Sequence, residues 1–365
     1  MLNFSFMALK KVALLNPLVP HYRDAFFKQL ATHIDLDIYV YENEDSDSNF
    51  KISTLRVNKI KSFGFLGNRF IAYDPFPLLA KKYDIVVLML HFGHITSWIL
   101  LLTRIFHRKK IILWGQGISV KRYLKERKHP NFFFRLMISL SNGVWLYTEE
   151  EQKQWKEIFP HKPIVALNNT ISGVEEVLAT DYTTDERKVL KEKHGIHQDI
   201  CLIYCARFDN PYRRFDLLVQ TIERLDPAKY GFIMIGEGVH KPDFTRYGNV
   251  YDYGKVYDKK LKDELFAIAD LYYQPGWIGL SVVEAMAYGK PIFTFKRSNE
   301  VLQCVEYSYI HDKQNGILLD NVEELKHRLT VLLQEDMREM GEISKRIVSD
   351  KLLMSYMVKN ALSIL

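Results

Sequence analysis

Two stretches of the chain combine residue types and spacings that could do chemistry. The first is Pro275–Pro291, PGWIGLSVVEAMAYGKP. An apolar strand ends at Gln274, a glycine-containing turn follows, and a helix is expected from Leu280. The first amides of such a helix lack intrahelical acceptors and carry the positive end of its dipole, so they would form an anion site, and Gly279 allows close backbone approach. Glu284 falls one turn inside an otherwise apolar helix, between Val283 and Ala285. A carboxylate there is costly unless paired; a ligand's vicinal hydroxyls, such as a ribose diol, would satisfy it. The alternative is a Glu284 that faces solvent or meets a neighbouring arginine. The second stretch is Ala206–Leu218, ARFDNPYRRFDLL. Arg207 directly follows a buried strand, and Arg213 precedes a helix whose apolar positions Phe215, Leu218, Ile222 and Leu225 have helical spacing. Paired guanidiniums at a strand end suit a diphosphate; a solvated charged loop is the plainer reading.

Other chemistries find less support. The chain has no P-loop, no GxGxxG after a strand, no HExxH and no GxSxG. His91 and His94 flank Phe92-Gly93 without a matching cysteine or carboxylate nearby, so neither a metal site nor a metal cofactor is expected. Three cysteines (Cys201, Cys205, Cys304) in 365 residues make no disulfide framework and fit a reducing, cytoplasmic compartment. The net charge of +6 favours anionic partners without pointing to nucleic acid.

The elements that must position these residues fall into two alternating series. Apolar runs at Lys11–Leu15, Leu36–Tyr41, Ile85–Leu90, Lys110–Trp114 and Gly143–Tyr147 read as strands. Helical patterns separate them at Tyr22–His33, Ile95–Phe106 and Asn131–Leu140, and Thr148 caps a further helix opening with Glu149-Glu150-Glu151. A polar loop is expected over Glu42–Asn49, and residues 171–198 are polar and read as a connection between domains. A second series then runs from a strand at Ile200–Cys205 to one at Pro291–Phe295. Strand–helix alternation implies parallel sheets covered on both faces. The expected fold is therefore α/β, with two Rossmann-like domains facing across a cleft. The apolar region Ile85–Phe106 is broken by His91, Gly93, His94 and Thr96, so it reads as strand, loop and helix rather than a membrane span.

Taken together, residues from Ile200 to about Gln334 resemble glycosyltransferase family 4. Arg207 with Arg213–Leu218 resembles its GR…K-x-x-DLL segment, with Arg213 in place of the usual lysine. Ile233–Gly238 (IMIGEG) is similar to its GxG strand-loop, Gly279–Gly289 followed by Lys290-Pro291-Ile292 to its GLxxxEAMAxGxPVI block, and Asn315–Leu319 to its NGLLV. In the first half, Asn16–Leu30 and Trp114–Gly117 also resemble segments of some members.

The resemblance implies a GT-B fold and a retaining glycosyltransferase that uses a nucleoside-diphosphate sugar without a cofactor or metal. It places the acceptor domain at 1–171, the nucleotide-sugar domain at 172–340, and a helix at 341–365 crossing back to the first. Glu284 would hold the ribose hydroxyls, and Arg207 and Arg213 would neutralise the departing diphosphate. The amides of Gly279–Ser281, with Gly236, would complete the nucleotide-sugar site. Gly276 stands where the family has a glutamate that touches the donor sugar, and Gln116 aligns with a first-domain histidine; His21 and His94 are further polar groups for that cleft. The implied acceptor is a saccharide or a lipid-linked one, in cell-surface polysaccharide or glycolipid synthesis. Lys121–Met137 interleaves basic and apolar residues and suits peripheral contact with an anionic membrane, or else forms a core helix beside a solvated basic run. No nucleic-acid partner is expected. Two rivals share the fold: a nucleotide-sugar epimerase, and a non-catalytic protein that binds a sugar nucleotide or partner.

Overall fold

The structure is a computed structural model that describes residues 9–42 and 55–365 and, for His21, the backbone alone. The expected loop Glu42–Asn49 lies outside the described residues beyond Glu42. The chain divides into two compact units, the first running to Ser172 and taking back Met354–Leu365, the second Gly173–Leu353.

The first unit is built on β1 (Lys11–Asn16), β2 (Asp35–Val40), β3 (Arg56–Lys59), a hairpin of β4 (Ser62–Phe65) and β5 (Phe70–Tyr73), then β6 (Ile85–Met89), β7 (Lys110–Gly115), β8 (Gly143–Leu146) and β9 (Ile164–Ala166). All but the hairpin form one sheet in the order β3-β2-β1-β6-β7-β8-β9, every pairing parallel. Alternation along β1 shows why the runs are apolar on both faces. Val12 and Leu14 enter one core with Phe26, Phe27 and Trp145; Ala13 and Leu15 enter another with Leu88, Phe134 and Trp155. Burial on both faces demands near-continuous hydrophobic strands.

The second unit carries β10 (Ile200–Cys205), β11 (Tyr230–Ile235), β12 (Val250–Asp252), β13 (Leu271–Tyr273), β14 (Ile292–Phe295) and β15 (Gly316–Leu319), ordered β12-β11-β10-β13-β14-β15 and wholly parallel. In each sheet the order reverses beside its first strand, between β1 and β6 and between β10 and β13. Such reversals open a crevice at the carboxyl ends of the strands, where ligands of doubly wound folds bind.

Three expectations change. Residues 171–198 are not merely a connection: helix Thr184–Lys193, opened by a Thr183–Glu186 capping box, packs on helix Lys259–Ile268. Arg187 ties it there, donating to the carbonyl of Ala267 (2.7 Å) and to Asp270 (2.8 Å). The return to the first unit begins at Met354, not at 341. Helix Gln334–Lys351 stays in the second unit because Gly341 lets it close on the Gly289 carbonyl, which a Cβ would approach to 2.1 Å. Helix Met354–Leu362 then buries Met354, Met357, Val358 and Ala361 in the first unit's core beside Phe26 and Phe27. Finally, Thr148 sits at the cap position of Glu149–Ile158, but its hydroxyl donates to the Glu151 carboxylate instead of accepting from an amide.

Candidate functional site

The crevice of the second unit gathers most of the residues singled out in its sequence. Arg207 leaves the end of β10; its side chain is 84% exposed, with a 3.8 Å contact to Asp209. The adjacent arginines play different parts. Arg214, in a left-handed conformation (φ +59°), is tied to Asp216 (2.7 Å) and the Glu300 carbonyl (3.1 Å), closing the loop. Arg213 instead turns inward beside the Tyr204 hydroxyl and near Cys205, Tyr272 and Cys304, and its buried Nη1 has no hydrogen-bond partner among the described residues. A buried guanidinium nitrogen without an acceptor is costly, and an anionic ligand would satisfy it.

Beyond β13 the loop Gln274–Leu280 is held by two fully buried glutamines. Gln274 Nε2 donates to the carbonyls of Gly276 and Trp277 (both 2.9 Å), and its Oε1 accepts from the Tyr272 hydroxyl (2.7 Å) and Ser281 Oγ (3.1 Å). Gln303 Oε1 accepts from the Ile278 amide (2.9 Å), while its Nε2 donates to Thr294 Oγ1 (2.9 Å) and the Phe295 carbonyl (2.8 Å). Gly276 donates to the Arg213 carbonyl (3.2 Å) and Trp277 to that of Leu302 (2.7 Å). Only at Gly279, Leu280 and Ser281 do amides emerge without an acceptor among the described residues. Helix Ser281–Ala287 has seven residues, so these three donors, rather than a long macrodipole, are what an anion would meet.

This framework explains the glycine at 276. A Cβ there would lie 2.6 Å from the Tyr212 carbonyl and 3.1 Å from Arg214 Cγ, so a glutamate has no room while the two loops touch. Trp277 meanwhile adopts φ +50°, a conformation that favours glycine and costs a larger residue on the order of 1 kcal/mol. Gly236 follows β11, where a Cβ would lie 2.1 Å from the Ala206 carbonyl. Its visible role is to let the β11 loop press against the one bearing Arg207.

Glu284 has found a cation that its local sequence does not reveal. Lys262, on helix Lys259–Ile268, donates to Glu284 Oε1 at 3.0 Å. Burial would push the Lys262 ammonium down, but the Glu284 charge and hydrogen bond outweigh it and hold the group above its ordinary value. Burial, reinforced by the Glu284 charge, pushes the Cys205 thiol up to about 12, while Lys262 and Arg213 oppose the shift. These interactions put Glu284, Lys262 and Arg213 around the end of β10.

In the first unit, the predicted polar residues follow three adjacent strands, β1, β6 and β7. Gln116 is half-buried at the end of β7. His94 is 3% exposed, its Nε2 3.3 Å from the Tyr41 hydroxyl and its Nδ1 buried without a partner among the described residues. Burial, with a smaller contribution from His91, lowers its pKa to about 4. It is a neutral core histidine at neutral pH. The His21 side chain lies outside the described residues. Lys121–Met137 contains helix Tyr123–Lys128 and the start of Phe132–Leu140. The latter helix buries Phe134, Met137 and Ile138 but presents Phe132 (68% exposed), Phe133 and Leu136 outward. It is thus a core helix on one side and an exposed apolar strip on the other.

Sequence reasoning did not find Gln274, Gln303 or Lys262. A glutamine closing the apolar strand Leu271–Tyr273 was the available signal for Gln274, since a buried amide must be bonded. The other two act across sequence distance and leave no local trace.

Comparison with known proteins finds likeness over the same region and over the fold. Residues 199–335, all within the second unit, match the family model described as "Glycosyl transferases group 1". An uncharacterized 41.2 kDa protein in the cps region of Klebsiella pneumoniae is 30% identical over 214 residues, covering 57% of this chain and 56% of that protein. The match thus spans little more than half of that relative's length. HepE from Anabaena, solved with UDP and glucose, superposes with a TM-score of 0.64 at 14% identity, over 97% of this chain and 98% of that one. A glycosyltransferase from Rickettsia africae gives 0.66 at 14% identity, over 98% and 97%. With both sheets parallel and doubly wound, these likenesses establish the GT-B fold of two Rossmann-like domains.

Proposed function

We propose that this chain is a nucleotide-sugar glycosyltransferase, of the retaining and metal-independent kind found in family 4, moving a hexose from a nucleoside-diphosphate sugar to a saccharide or lipid-linked acceptor. The observation that carries the reading is the buried, unpartnered Arg213 Nη1 at the strand-order reversal where the matched region's free amides emerge. Supporting it, HepE, of the same fold, is solved with UDP and with UDP-glucose.

In this reading, Glu284 accepts from the ribose hydroxyls through the oxygen that Lys262 leaves available. The amides of Gly279–Ser281 and the guanidiniums of Arg213 and Arg207 receive the diphosphate. The bond between the anomeric carbon and the β-phosphate oxygen breaks, its electron pair leaving on that oxygen. An acceptor hydroxyl bonds the anomeric carbon from the same face and its proton passes to the departing phosphate. Because negative charge grows on the leaving group, fixed cations stabilise the transition state more than the ground state. The reaction runs with a cytoplasmic nucleotide sugar and serves cell-surface polysaccharide or glycolipid synthesis.

The first unit fits an acceptor at an anionic membrane surface. Ile99, Leu102, Ile105, Phe106 (80% exposed), Phe132 and Phe133 are all exposed, and Trp98 meets Phe133 edge-on at 6.4 Å, joining helices Ile95–Leu102 and Phe132–Leu140. Residues 95–140 contain ten arginines and lysines and a single acid, Glu126, which is buried against Arg122. Cations beside apolar side chains match a negatively charged bilayer. Among the described residues, no helix is long and apolar enough to cross a membrane.

The reaction is tested by nucleotide release from UDP-glucose and other nucleotide sugars with the whole chain. Arg207→Ala should reduce turnover by about 10²-fold and Glu284→Gln should reduce kcat/KM by about 10–100-fold; undiminished release in either variant contradicts the assignment. Substrate binding without release would favour a non-catalytic binder, and interconversion of the sugar an epimerase.

A further inference from the structure

We propose that the stacked pair Trp277 and Tyr212 is a carbohydrate-binding platform that sets which sugar this site accepts, through contact with an apolar C–H face of the pyranose. The inference rests on the nucleotide-sugar reading and adds the residues that recognise the sugar.

The first observation is conformational. Trp277 occupies a left-handed position (φ +50°) where glycine would serve without strain. The surroundings hold it there, its amide donating to the Leu302 carbonyl (2.7 Å) and its carbonyl accepting from Gln274 (2.9 Å). Strain of this kind persists only where the neighbourhood over-determines it, and it concentrates at ligand sites. Trp277 is half-buried and lies outside the core cluster that joins Tyr204, Phe208 and Phe215. It stacks instead on Tyr212, with centroids 5.2 Å apart and planes 23° apart, and Tyr212 is itself 38% exposed.

The second observation is position. The pair bridges the two loops that flank the β10/β13 reversal. Tyr212 immediately precedes Arg213, and Trp277 lies two residues before the first free amide, at Gly279. A nucleoside-diphosphate sugar is a linear molecule of three parts. With its ribose at Glu284 and its phosphates at Gly279–Ser281 and Arg213, the sugar extends along the loop away from Glu284, toward Trp277.

The third observation is what the wall offers. The amides of Gly276, Trp277 and Ile278 are all committed, to Arg213, Leu302 and Gln303, and residue 276 has no side chain. Free backbone donors and a carboxylate are therefore missing from this stretch of loop, and the Trp277 indole N–H and the aromatic faces remain. Aromatic rings bury apolar area within a specific geometry, which favours a sugar presenting contiguous C–H groups over one presenting hydroxyls at that face.

Isothermal titration of the whole chain with UDP, GDP and ADP, and with UDP-glucose, UDP-galactose, GDP-mannose and ADP-glucose, separates the two layers of the claim. Trp277→Gly keeps the turn and removes the ring; Trp277→Phe keeps an aromatic face. For the diphosphate that binds the wild-type chain, Trp277→Gly should change affinity by less than about 2-fold but weaken the sugar-bearing form by roughly 5–20-fold, and Trp277→Phe should restore most of that loss. Tyr212→Ala should follow Trp277→Gly. Equal weakening of both ligands, or no weakening of either, overturns the platform while leaving the nucleotide site standing. Failure of every nucleotide to bind the wild-type chain overturns the underlying reading and the platform with it.

Discussion

The carboxyl ends of the two sheets share a topology and furnish it in opposite ways. At the β10/β13 reversal the crevice is polar and anchored: two buried glutamines hold a loop from which three amides emerge, beside an inward-turned arginine. At the β1/β6 reversal it is aromatic: His94 is buried against the rings of Tyr41 and Tyr73, with centroids 5.7 and 6.1 Å away, and the buried Arg23 lies over the Trp114 and Tyr147 rings. Holding a diphosphate requires fixed charges and fixed donors, and these impose residue types at set spacings. A surface for a saccharide or lipid imposes shape and polarity, which many sequences satisfy.

If the polar crevice does the chemistry, its arginine should be the most sensitive point of the molecule. Arg213→Ala is expected to cut kcat/KM by about 10²–10³-fold, roughly 3–4 kcal/mol of transition-state stabilisation, with the circular dichroism spectrum unchanged. Glu284→Gln should weaken nucleotide binding about 10–100-fold, since it removes a charged acceptor. Lys262→Met, which takes away the competing cation, should alter binding less than Glu284→Gln; titration of both variants ranks them. Gln274→Leu leaves the carbonyls of Gly276 and Trp277 without their donor, and should cost about 1–3 kcal/mol in urea unfolding.

The smallest effect belongs to the aromatic crevice. His94 resists protonation in the folded chain down to about pH 4, whereas an unfolded histidine binds its proton near pH 6.5. Below pH 6.5 the unfolded state therefore binds more protons, and stability falls as pH falls toward 4. Between pH 7 and 5.5 this group should remove about 1 kcal/mol. Urea unfolding of His94→Phe should show a correspondingly shallower loss over that interval, and an unchanged slope would show that His94 is not the neutral group described.

The exposed apolar and basic face of the first unit offers a separate contrast. Phe132→Ser with Phe133→Ser should reduce co-sedimentation with phosphatidylglycerol-containing vesicles several-fold while leaving nucleotide affinity intact. Binding of wild-type chain to pure phosphatidylcholine should be weak, and binding to anionic vesicles should fall as salt is raised. Equal binding of variant and wild type would remove the face from the account.

Much of the second unit was legible because its demands are local. Arg207, Arg213, Gly279 and Glu284 lie within or beside strand–turn–helix junctions whose periodicity shows in the chain, and the β10–β14 alternation can be read directly. What escaped is set by contacts between distant segments. The Lys262–Glu284 pair, Gln303 beneath Ile278, and the clash that excludes a side chain at 276 all depend on how loops meet. The helix at Thr184–Lys193 was hidden by its polarity, since it gains its place through Arg187 and Lys193 rather than an apolar stripe. The hairpin β4–β5 and the short strand β9 were hidden by length.

The central claim is that the second unit's crevice binds a nucleoside diphosphate through Arg213 and the loop before Ser281. Thermal unfolding of the whole chain with saturating UDP, GDP or ADP tests it directly, because a ligand that binds only the folded state raises the melting temperature. One of the three should stabilise the wild-type chain by several degrees, and that shift should vanish in Arg213→Ala. Stabilisation by none of them, or a shift that persists undiminished in Arg213→Ala, would contradict the account.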